Sequence, residues 1–376
     1  MKRSEEKDTV ESTSSGVAVG TRCGSASKVD FSVSRCTDAL LAARLPHWTS
    51  YVHGHEASPS RDPGWLAVLE RGLKHQAYCV EAVAAAKTVG LLPLAYVSSL
   101  LFGRFLVSLP YLNTGGVLAD NEEIARGLVD RAVALADRLE VRYLELRHEK
   151  PLVHPALTHA LTSKVHMRLA LPPNSKKLWE DFDPKVRNQV RKAEKLGLSV
   201  RWGGLELVGD FYRVFARNMR ELGTPVFGRR LFESILRQFP QTAEFCLVSH
   251  EGQTVAAALL VHGPGVTEVP SASSLRSHNF TNANMLMYWQ LLKRAVERGQ
   301  AVFDFGRSTV ESNTFRFKKQ WGAQPQPAVW QYYVRKGSVG DLRPESAKYR
   351  RLIATWRHLP VWLTRLIGPA IVRGIP

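Results

Sequence analysis

The sequence predicts an α/β protein made of two similar halves. A helix, a two-strand hairpin, a third strand, a second helix and a last strand follow one another in residues 62–147 and again in residues 229–305. The hairpin turns are also alike, Ala-Lys-Thr-Val-Gly in the first copy and Glu-Gly-Gln-Thr-Val-Ala in the second. Because 376 residues suffice for two domains, we expect two sheets that each bury a face and together form a cleft.

The spacing of apolar residues assigns the elements of the first half in chain order. Val29–Arg35 alternates like a strand, Leu45–His53 is helical, and Pro63 begins a second helix with apolar residues at helical spacing. Three strands, a helix and two more strands complete this half: Tyr78–Ala86, Leu91–Ser98, Phe105–Tyr111, Asp120–Arg138, Val141–Leu146 and Val165–Leu171.

The second half repeats this order after three helices that precede the repeat. Its predicted helices are Lys176–Phe182, Pro184–Leu196, Leu207–Leu222, Arg229–Phe239 and Met285–Arg298, and its strands are Glu244–His250, Thr254–His262, Thr267–Ser273 and Ala301–Phe305. The expected domains are a disordered tail (1–28), a first domain (29–171), a second domain (172–337) and a basic amphipathic extension (338–376).

The net charge of the chain and the spacing of its cysteines limit the partners, the metal sites and the cell compartment that we expect. The net charge of +17 and the pI near 9.9 favour an anionic partner, which is RNA, a phosphorylated substrate or a membrane surface. The N-terminus has no apolar segment of the signal-peptide type, and the four cysteines have neither zinc-site nor disulfide spacing. We therefore expect a protein of the reducing cytoplasm with no metal and no bound cofactor.

The densest cluster of chemically informative residues follows the last predicted strand, which Gly306 is expected to end. Asp304 lies at the end of that strand, where open α/β sheets place their ligands. A short helix, Asn313–Gln320, comes next. Phe317 and Trp321 are four residues apart and should be buried on one face, with Lys318 beside that face and Lys319 nearer to solvent. A solvated basic helix anchored by its aromatic residues is the alternative interpretation.

Several motifs in this order resemble the FemAB family, in particular its branch associated with PEP-CTERM/exosortase and exopolysaccharide systems. The stretches that carry the resemblance are Gly90–Leu94, Leu106–Pro110, Gly115-Gly116, Val186–Ala193, Pro270–Ser274, Asn284–Leu286, Tyr288-Trp289, Phe303–Thr309 and Phe315–Ala323. The sequence departs from that branch at Ser271, where tryptophan is usual, and at Thr114 and Phe315, where tyrosine is common. These departures concern the acceptor pocket more than the fold.

The resemblance implies two tandem GNAT-like domains and an N-acyltransferase or aminoacyltransferase that acts on an amine of a cell-envelope or exopolysaccharide precursor. It implies an anionic donor, either aminoacyl-tRNA or acyl-CoA, and it places the family's functional lysine on Lys318. Acyl transfer needs a base and a stabilised oxyanion. Asp304 is the candidate base, with an N-cap or a salt bridge to Arg307 as its structural alternative, and Lys318 and Arg307 are the candidate cations. Candidate substrate contacts are Glu268, Ser271, Ser273, Asn284, Tyr288, Ser308, Arg316 and Trp321.

Three other segments bear on the identity of the donor and on the location of the protein. Arg276–Ala283 precedes a helix, as a CoA pyrophosphate turn does, but has no glycine, which argues against a usual acyl-CoA site. The basic helix Lys185–Lys195 suits a tRNA backbone or is simply a solvated helix. Tyr349–Ile375 combines tryptophan with arginine, which fits either an anionic membrane interface, giving peripheral attachment at the inner face, or a helix that packs on the protein itself.

Two rival functions therefore stay open. The first is an acyl-CoA-dependent amino-sugar N-acyltransferase. The second is a non-catalytic basic protein that binds RNA or a membrane.

Overall fold

Two mixed β-sheets, one for each half of the chain, form the frame of the computed structural model, which describes residues 28–55, 58–338 and 353–376. The sheet of the first half contains β1 (Asp30–Arg35), β2 (Gln76–Ala84), β3 (Lys87–Ser99), β4 (Gly103–Val107), β5 (Leu118–Ala119), β6 (Tyr143–His148), β7 (His159–Leu161) and β15 (Val329–Val334). Its strand order is β1-β2-β3-β4-β6-β15-β7, with β5 paired to β3. Its helices are α1 (Asp38–His55), α2 (Gly64–Leu73) and α3 (Glu122–Arg138).

The sheet of the second half has the order β14-β8-β13-β12-β11-β10-β9. Its strands are β8 (Lys164–Ala170), β9 (Ser199–Gly203), β10 (Ala243–His250), β11 (Gln253–His262), β12 (Val266–Ser274), β13 (Val302–Thr309) and β14 (Gln324–Pro327). Its helices are α4 (Ser175–Asp181), α5 (Pro184–Lys195), α6 (Val208–Leu222), α7 (Arg229–Gln238), α8 (Ala283–Glu297), α9 (Asn313–Lys319) and α10 (Val361–Val372).

The two sheets exchange strands across the boundary that the sequence suggested. β8, which we assigned to the first domain, pairs with β13 and β14 in the second sheet. In return β15, near the end of the second half, pairs with β6 and β7 in the first sheet. A cut between residues 171 and 172 therefore does not separate the sheets, because each half completes the sheet of the other.

A helical layer lies between the sheets and joins the halves into one core. α2 packs against α7, and buried residues of α1, α2, α6 and α7 share one cluster with residues of both sheets. Helix α6 contributes to this core because Phe211, Val214 and Phe215 follow helical spacing and together form its buried face. The second sheet is covered on its other face by α4, α5 and α8, and the first sheet by α3.

The strand that carries Asp304 does not end at Gly306, contrary to our expectation. β13 continues to Thr309, and its register against β8 shifts between Asp304 and Arg307. Gly306 adopts φ +76°, a left-handed conformation that glycine reaches without steric cost. The glycine therefore creates a bulge that re-aims the strand beside Asp304.

The described part of the C-terminal extension packs on the protein with one face. α10 lies on α6, and its Thr364 and Gly368 are buried, while Trp362 and Leu366 remain 66% and 70% exposed. The predicted N-terminal tail, up to residue 27, and residues 339–352 of the extension lie outside the described residues. Among the helices of the described residues, none is long and apolar enough to span a membrane.

Candidate active site

A gap opens in the second sheet where its two parallel strands separate. β12 and β13 pair in parallel from Val266 and Val302 as far as Glu268 and Asp304. Beyond this point β12 continues along β11, and β13 continues along β8. Neighbouring strands lie about 4.8 Å apart and paired residues point to the same side. Glu268 and Asp304 therefore stand side by side at the apex of the gap.

Glu268 is held by the first half of the chain. Its side chain is 4% exposed and accepts hydrogen bonds from Ser58 Oγ (2.6 Å), from the backbone N–H of Ser60 (3.3 Å) and from Ser60 Oγ. Burial and then the charge of Asp304 raise the pKa of Glu268 to about 7, although the serine hydrogen bonds oppose the rise. A carboxyl group with that pKa exchanges a proton near neutral pH.

Asp304 forms an ion pair, but not with the residue we expected. It is 1% exposed and accepts hydrogen bonds from Gly306 N (2.6 Å) and Arg168 Nε (2.8 Å). Arg168 also donates to Glu149 of the first half, at 2.5 and 2.9 Å. Since Arg168 rather than Arg307 neutralises Asp304, this carboxylate is better suited to fix the apex than to accept a proton.

A buried histidine lies beside this ion pair. His166 is fully buried on β8, with its Nδ1 4.0 Å from Asp304 Oδ2. Neither ring nitrogen has a hydrogen-bond partner among the described residues. Burial lowers the pKa of His166 to about 4, so the ring is neutral near pH 7.

Lys318 is buried and lies at the bulge, whereas Lys319 is exposed. The Nζ of Lys318, on a side chain that is 8% exposed, donates to the carbonyl oxygens of Gly306 and Arg307, both at 3.0 Å. Burial lowers the pKa of Lys318 to about 8, although the charge of Asp304 raises it. The buried aromatic pair is Phe315 and Trp321; Phe317 is only half-buried and packs edge-on against Tyr288.

Arg307 stacks on an aromatic ring at the junction of the two sheets. Its Cζ lies 3.2 Å from the ring centroid of Trp330, and the Cζ of Arg147 lies 4.0 Å from the same centroid. Burial lowers the pKa of Arg307 to about 9, and the nearby charge of Arg147 lowers it further. Arg307 thus joins the sheets through Trp330 rather than pairing with Asp304.

The other candidate contacts fall into two groups. Ser271 and Ser273 follow Glu268 on β12, Ser308 is buried on β13, and Asn284 is half-buried in the first turn of α8. Tyr288 and Trp321 belong to the aromatic core, and Arg316 is exposed and faces Glu311 at 3.7 Å. The structure brings Glu268, Asp304 and Lys318 together and leaves Arg316 outside this group.

Sequence reasoning missed Ser58, Ser60, Glu149, His166 and Arg168. The two serines lie about two hundred positions from Glu268, and no local motif marks them. Alternation placed Arg168 and His166 in a strand, but nothing in the sequence indicated that this strand crosses into the second sheet. Glu149 follows β6 and Arg168 lies within β8, and no local motif marks them as a pair.

Two segments were considered for binding the donor, the turn before α8 and the basic helix α5, and both have the features expected from the sequence. Residues Arg276–Thr281 form a short 3-10 helix, and Asn282 takes the left-handed φ of +55° where a glycine would be unstrained. Lys185, Arg191, Lys192 and Lys195 are exposed on α5. Among the described residues, no three or more His, Cys, Asp or Glu side chains are grouped to hold a metal ion.

Comparison with known proteins finds a similar domain and similar folds. Residues 182–319 match the family model described as an acetyltransferase (GNAT) domain, whereas no curated protein matches the chain. The crystal structure of FemX is 15% identical with a TM-score of 0.59, and the match covers 81% of this chain and 97% of FemX.

Two further solved structures have similar folds. The C-terminal domain of a putative lysylphosphatidylglycerol synthetase from Agrobacterium fabrum is 11% identical with a TM-score of 0.51, over 79% of this chain and 93% of that one. A conserved protein of unknown function from Bacteroides thetaiotaomicron is 9% identical with a TM-score of 0.52, over 81% and 99%. The predicted fold class is therefore confirmed, while the PEP-CTERM branch stays a prediction. Residues 182–319 thus match the model of a GNAT acetyltransferase domain, and the chain as a whole has a two-sheet α/β fold similar to that of FemX.

Proposed function

We propose that the apex between β12 and β13 catalyses N-acyl transfer to an amine, with Glu268 as the general base. The observation that carries this proposal is the pair of buried carboxyl groups at the point where the parallel strands separate. Asp304 is paired with Arg168, and Glu268 is the carboxyl group whose pKa is raised to about 7. The base assignment therefore moves from Asp304 to Glu268.

The chemistry follows from the protonation of amines. An alkylamine has a pKa of about 10, so most of it is charged at pH 7 and cannot attack a carbonyl. Only the uncharged fraction attacks, and a carboxylate with a pKa of about 7 can accept the proton that this nitrogen loses as the N–C bond forms. Lys318 places a cation next to this apex, and a preorganised cation can lower the energy of a developing oxyanion by roughly 3 kcal/mol.

The substrates are proposed by class. The match to an acetyltransferase domain favours an acyl thioester such as acyl-CoA as donor, with aminoacyl-tRNA as the second choice. The similarity to FemX and to a putative lysylphosphatidylglycerol synthetase supports an acceptor amine on a cell-envelope or exopolysaccharide precursor. Such an acceptor fits a cytoplasmic enzyme that works close to a membrane.

One surface supports attachment to an anionic membrane. Trp362 and Leu366 are exposed on α10, and Arg365 and Arg373 are exposed on the same segment. The exposed tip of the β3–β4 hairpin, Leu100-Leu101, lies nearby, because Gly374 comes up against the Ser99 side chain. Apolar residues interspersed with arginine are typical of a protein face that rests on anionic lipid.

The direct test is amide formation from defined substrates. The full chain is incubated with acetyl-CoA and, separately, with a mixture of aminoacyl-tRNAs, each against glucosamine and a lysine-containing peptidoglycan pentapeptide. Products are read by mass spectrometry. We expect an N-acylated product with the wild type and a rate about 10²- to 10⁴-fold lower with Glu268→Gln. Failure to form an amide in every combination, or equal rates for both proteins, contradicts the proposal.

A further inference from the structure

An apolar cavity of about 270 Å³ lies against β12, just beyond Glu268. Residues Pro270–Ser273 of β12 form one wall, and helices α6 and α7 form the opposite wall. The first half of the chain closes one side with the loop Pro110–Leu112. The cavity is therefore built from both halves, as the apex is.

The cavity and Glu268 lie on the same face of the sheet. Glu268 pairs with Val261 and Ser271 pairs with Leu259, because β12 has an irregularity between these two positions. Val261 and Leu259 both belong to the core shared with α6 and α7. Pro270 follows Glu268 by two residues, a span of about 7 Å in an extended strand. The near end of the cavity therefore lies about two residues along β12 from Glu268.

The cavity wall is made for an apolar ligand. Its apolar lining includes Trp65, Phe215, Met219, Phe227, Phe232 and Leu259. Two of its polar groups already have partners: the Tyr111 hydroxyl donates to the Arg373 carbonyl at 2.7 Å, and Asn218 Nδ2 donates to the Ser274 carbonyl at 3.1 Å. A lining of this kind binds hydrocarbon and disfavours a charged amine or a phosphate.

The volume sets the length of the hydrocarbon. A protein cavity of about 150 Å³ holds benzene, which has six carbon atoms. By that ratio the present cavity holds about ten carbon atoms. An acetyl group would leave most of it empty.

We propose that this cavity binds the acyl chain of the donor, and that the transferred group is an apolar acyl chain of about ten carbon atoms. The inference rests on the proposed function and adds its substrate class. The acceptor nitrogen attacks the thioester carbonyl carbon and an N–C bond forms as the C–S bond breaks. Glu268 takes the proton that the nitrogen loses and passes it to the departing thiolate, which leaves as the thiol. The charged groups Asp304, Arg168 and Glu149 lie in a separate cluster at the apex, where a polar acceptor is better accommodated.

Binding of acyl-CoA esters to the full chain tests this assignment without requiring turnover. Decanoyl-CoA, acetyl-CoA, free CoA and decylamine are each titrated by calorimetry. Each buried methylene contributes about 0.8 kcal/mol, so even partial burial of the chain predicts a Kd for decanoyl-CoA at least about 30-fold below that of acetyl-CoA. Free CoA should bind no better than acetyl-CoA.

A pair of tryptophan variants locates the effect. Met219→Trp fills the cavity from α6 and should remove the preference for decanoyl-CoA. Leu196→Trp adds the same side chain at an exposed position at the end of α5, which packs on the other face of the sheet, and should keep the preference. Melting curves of both variants establish that they fold.

The outcomes separate the inference from the proposed function. Equal affinity for decanoyl-CoA and acetyl-CoA, or a preference that survives Met219→Trp in a folded protein, overturns the cavity assignment even if amide is formed from acetyl-CoA. Tighter binding of decylamine than of decanoyl-CoA also overturns it, because the chain would then belong to the acceptor. Tight binding of decanoyl-CoA without any amide formation supports the cavity and contradicts the function instead.

Discussion

The two halves of the molecule repeat the same pair of parallel strands, yet they end it differently. In the first half the last parallel pair is Val107 and Glu145, and in the second half it is Glu268 and Asp304. A valine thus stands at the position that corresponds to the proposed base. The remaining carboxylate, Glu145, accepts a 2.7 Å hydrogen bond from Arg147 Nε within its own strand.

The gaps beyond these pairs also differ. In the first half the chain itself fills the gap: Arg147 donates to the carbonyls of Leu109 and Leu112, and Gly115 and Gly116 donate to the Arg147 carbonyl. In the second half the corresponding place retains two buried carboxyl groups and the apolar cavity. The comparison teaches that duplication of a fold does not duplicate its chemistry. The first half acts as a scaffold that lends Ser58, Ser60 and Glu149 to the second.

The largest effect on turnover that would test this comparison is expected for a change at Lys318, the cation beside the point where β12 and β13 separate. Lys318→Ala should lower turnover by roughly 10²-fold or more, since a preorganised charge is lost. It should also lower stability by about 1–3 kcal/mol, because the carbonyls of Gly306 and Arg307 lose their donor. Rates are measured under saturating substrate, with unfolding followed in urea.

The exposed neighbour Lys319 is the matched control. Lys319→Ala should change turnover and stability little. Equal rates for the two lysine variants would remove Lys318 from the mechanism and leave the basic cluster as a surface feature.

The next effect is a dependence of stability on pH that originates at Glu268. Its pKa is raised from 4.5 to about 7 in the folded protein, so the folded state holds a proton that the unfolded state releases. The stability associated with this group is present below pH 4.5 and is lost as pH rises to about 7, by roughly 3 kcal/mol. Urea unfolding at pH 5 and pH 7.5 should show this loss in wild type relative to Glu268→Gln.

The corresponding change in the first half serves as a control for this titration. Glu145→Gln should lower stability, because it weakens a buried ion pair. The change in its free energy of unfolding between the two pH values should nevertheless equal that of the wild type. If the free energy of unfolding of Glu268→Gln depends on pH as that of the wild type does, the titrating group lies elsewhere.

The smallest effect on catalysis is expected for substitutions on the exposed face of α10, because this face lies outside both gaps. Replacing Trp362 and Leu366 together by glutamate should abolish co-sedimentation with phosphatidylglycerol vesicles at low salt and leave melting nearly unchanged. Leu196→Glu places a similar charge on another exposed leucine and should still co-sediment. Equal binding by all three proteins would contradict a role for α10 at membranes.

Much of the fold and part of the site could be predicted from the spacing of residues that are close in sequence. The repeat, the strand of Asp304 and the orientation of Lys318 depend on residues close in sequence, and they could be predicted. The exchange of β8 and β15 could not, because apolar alternation identifies a strand without identifying its neighbours. The same limit hid the Arg168–Asp304 pair and led us to expect Arg307 there.

The role of Glu268 was out of reach for a different reason. Sequence analysis placed it among the substrate contacts, since a glutamate in a strand is as compatible with solvent as with a cleft. Its raised pKa arises from burial and from the neighbouring Asp304, moderated by two serines of the first half. These are properties of the assembled halves, and residue spacing does not encode them.

The most direct test of the central claim is the pH dependence of kcat/KM for three proteins. Wild type should lose activity below a pKa of about 7, because protonated Glu268 cannot accept the proton of the amine. Glu145→Gln should keep that limb at the same pH. Glu268→Gln should lose the limb together with about 10²- to 10⁴-fold of the rate. A Glu268→Gln enzyme that retains the wild-type rate and the same limb would contradict the assignment of chemistry to the second apex.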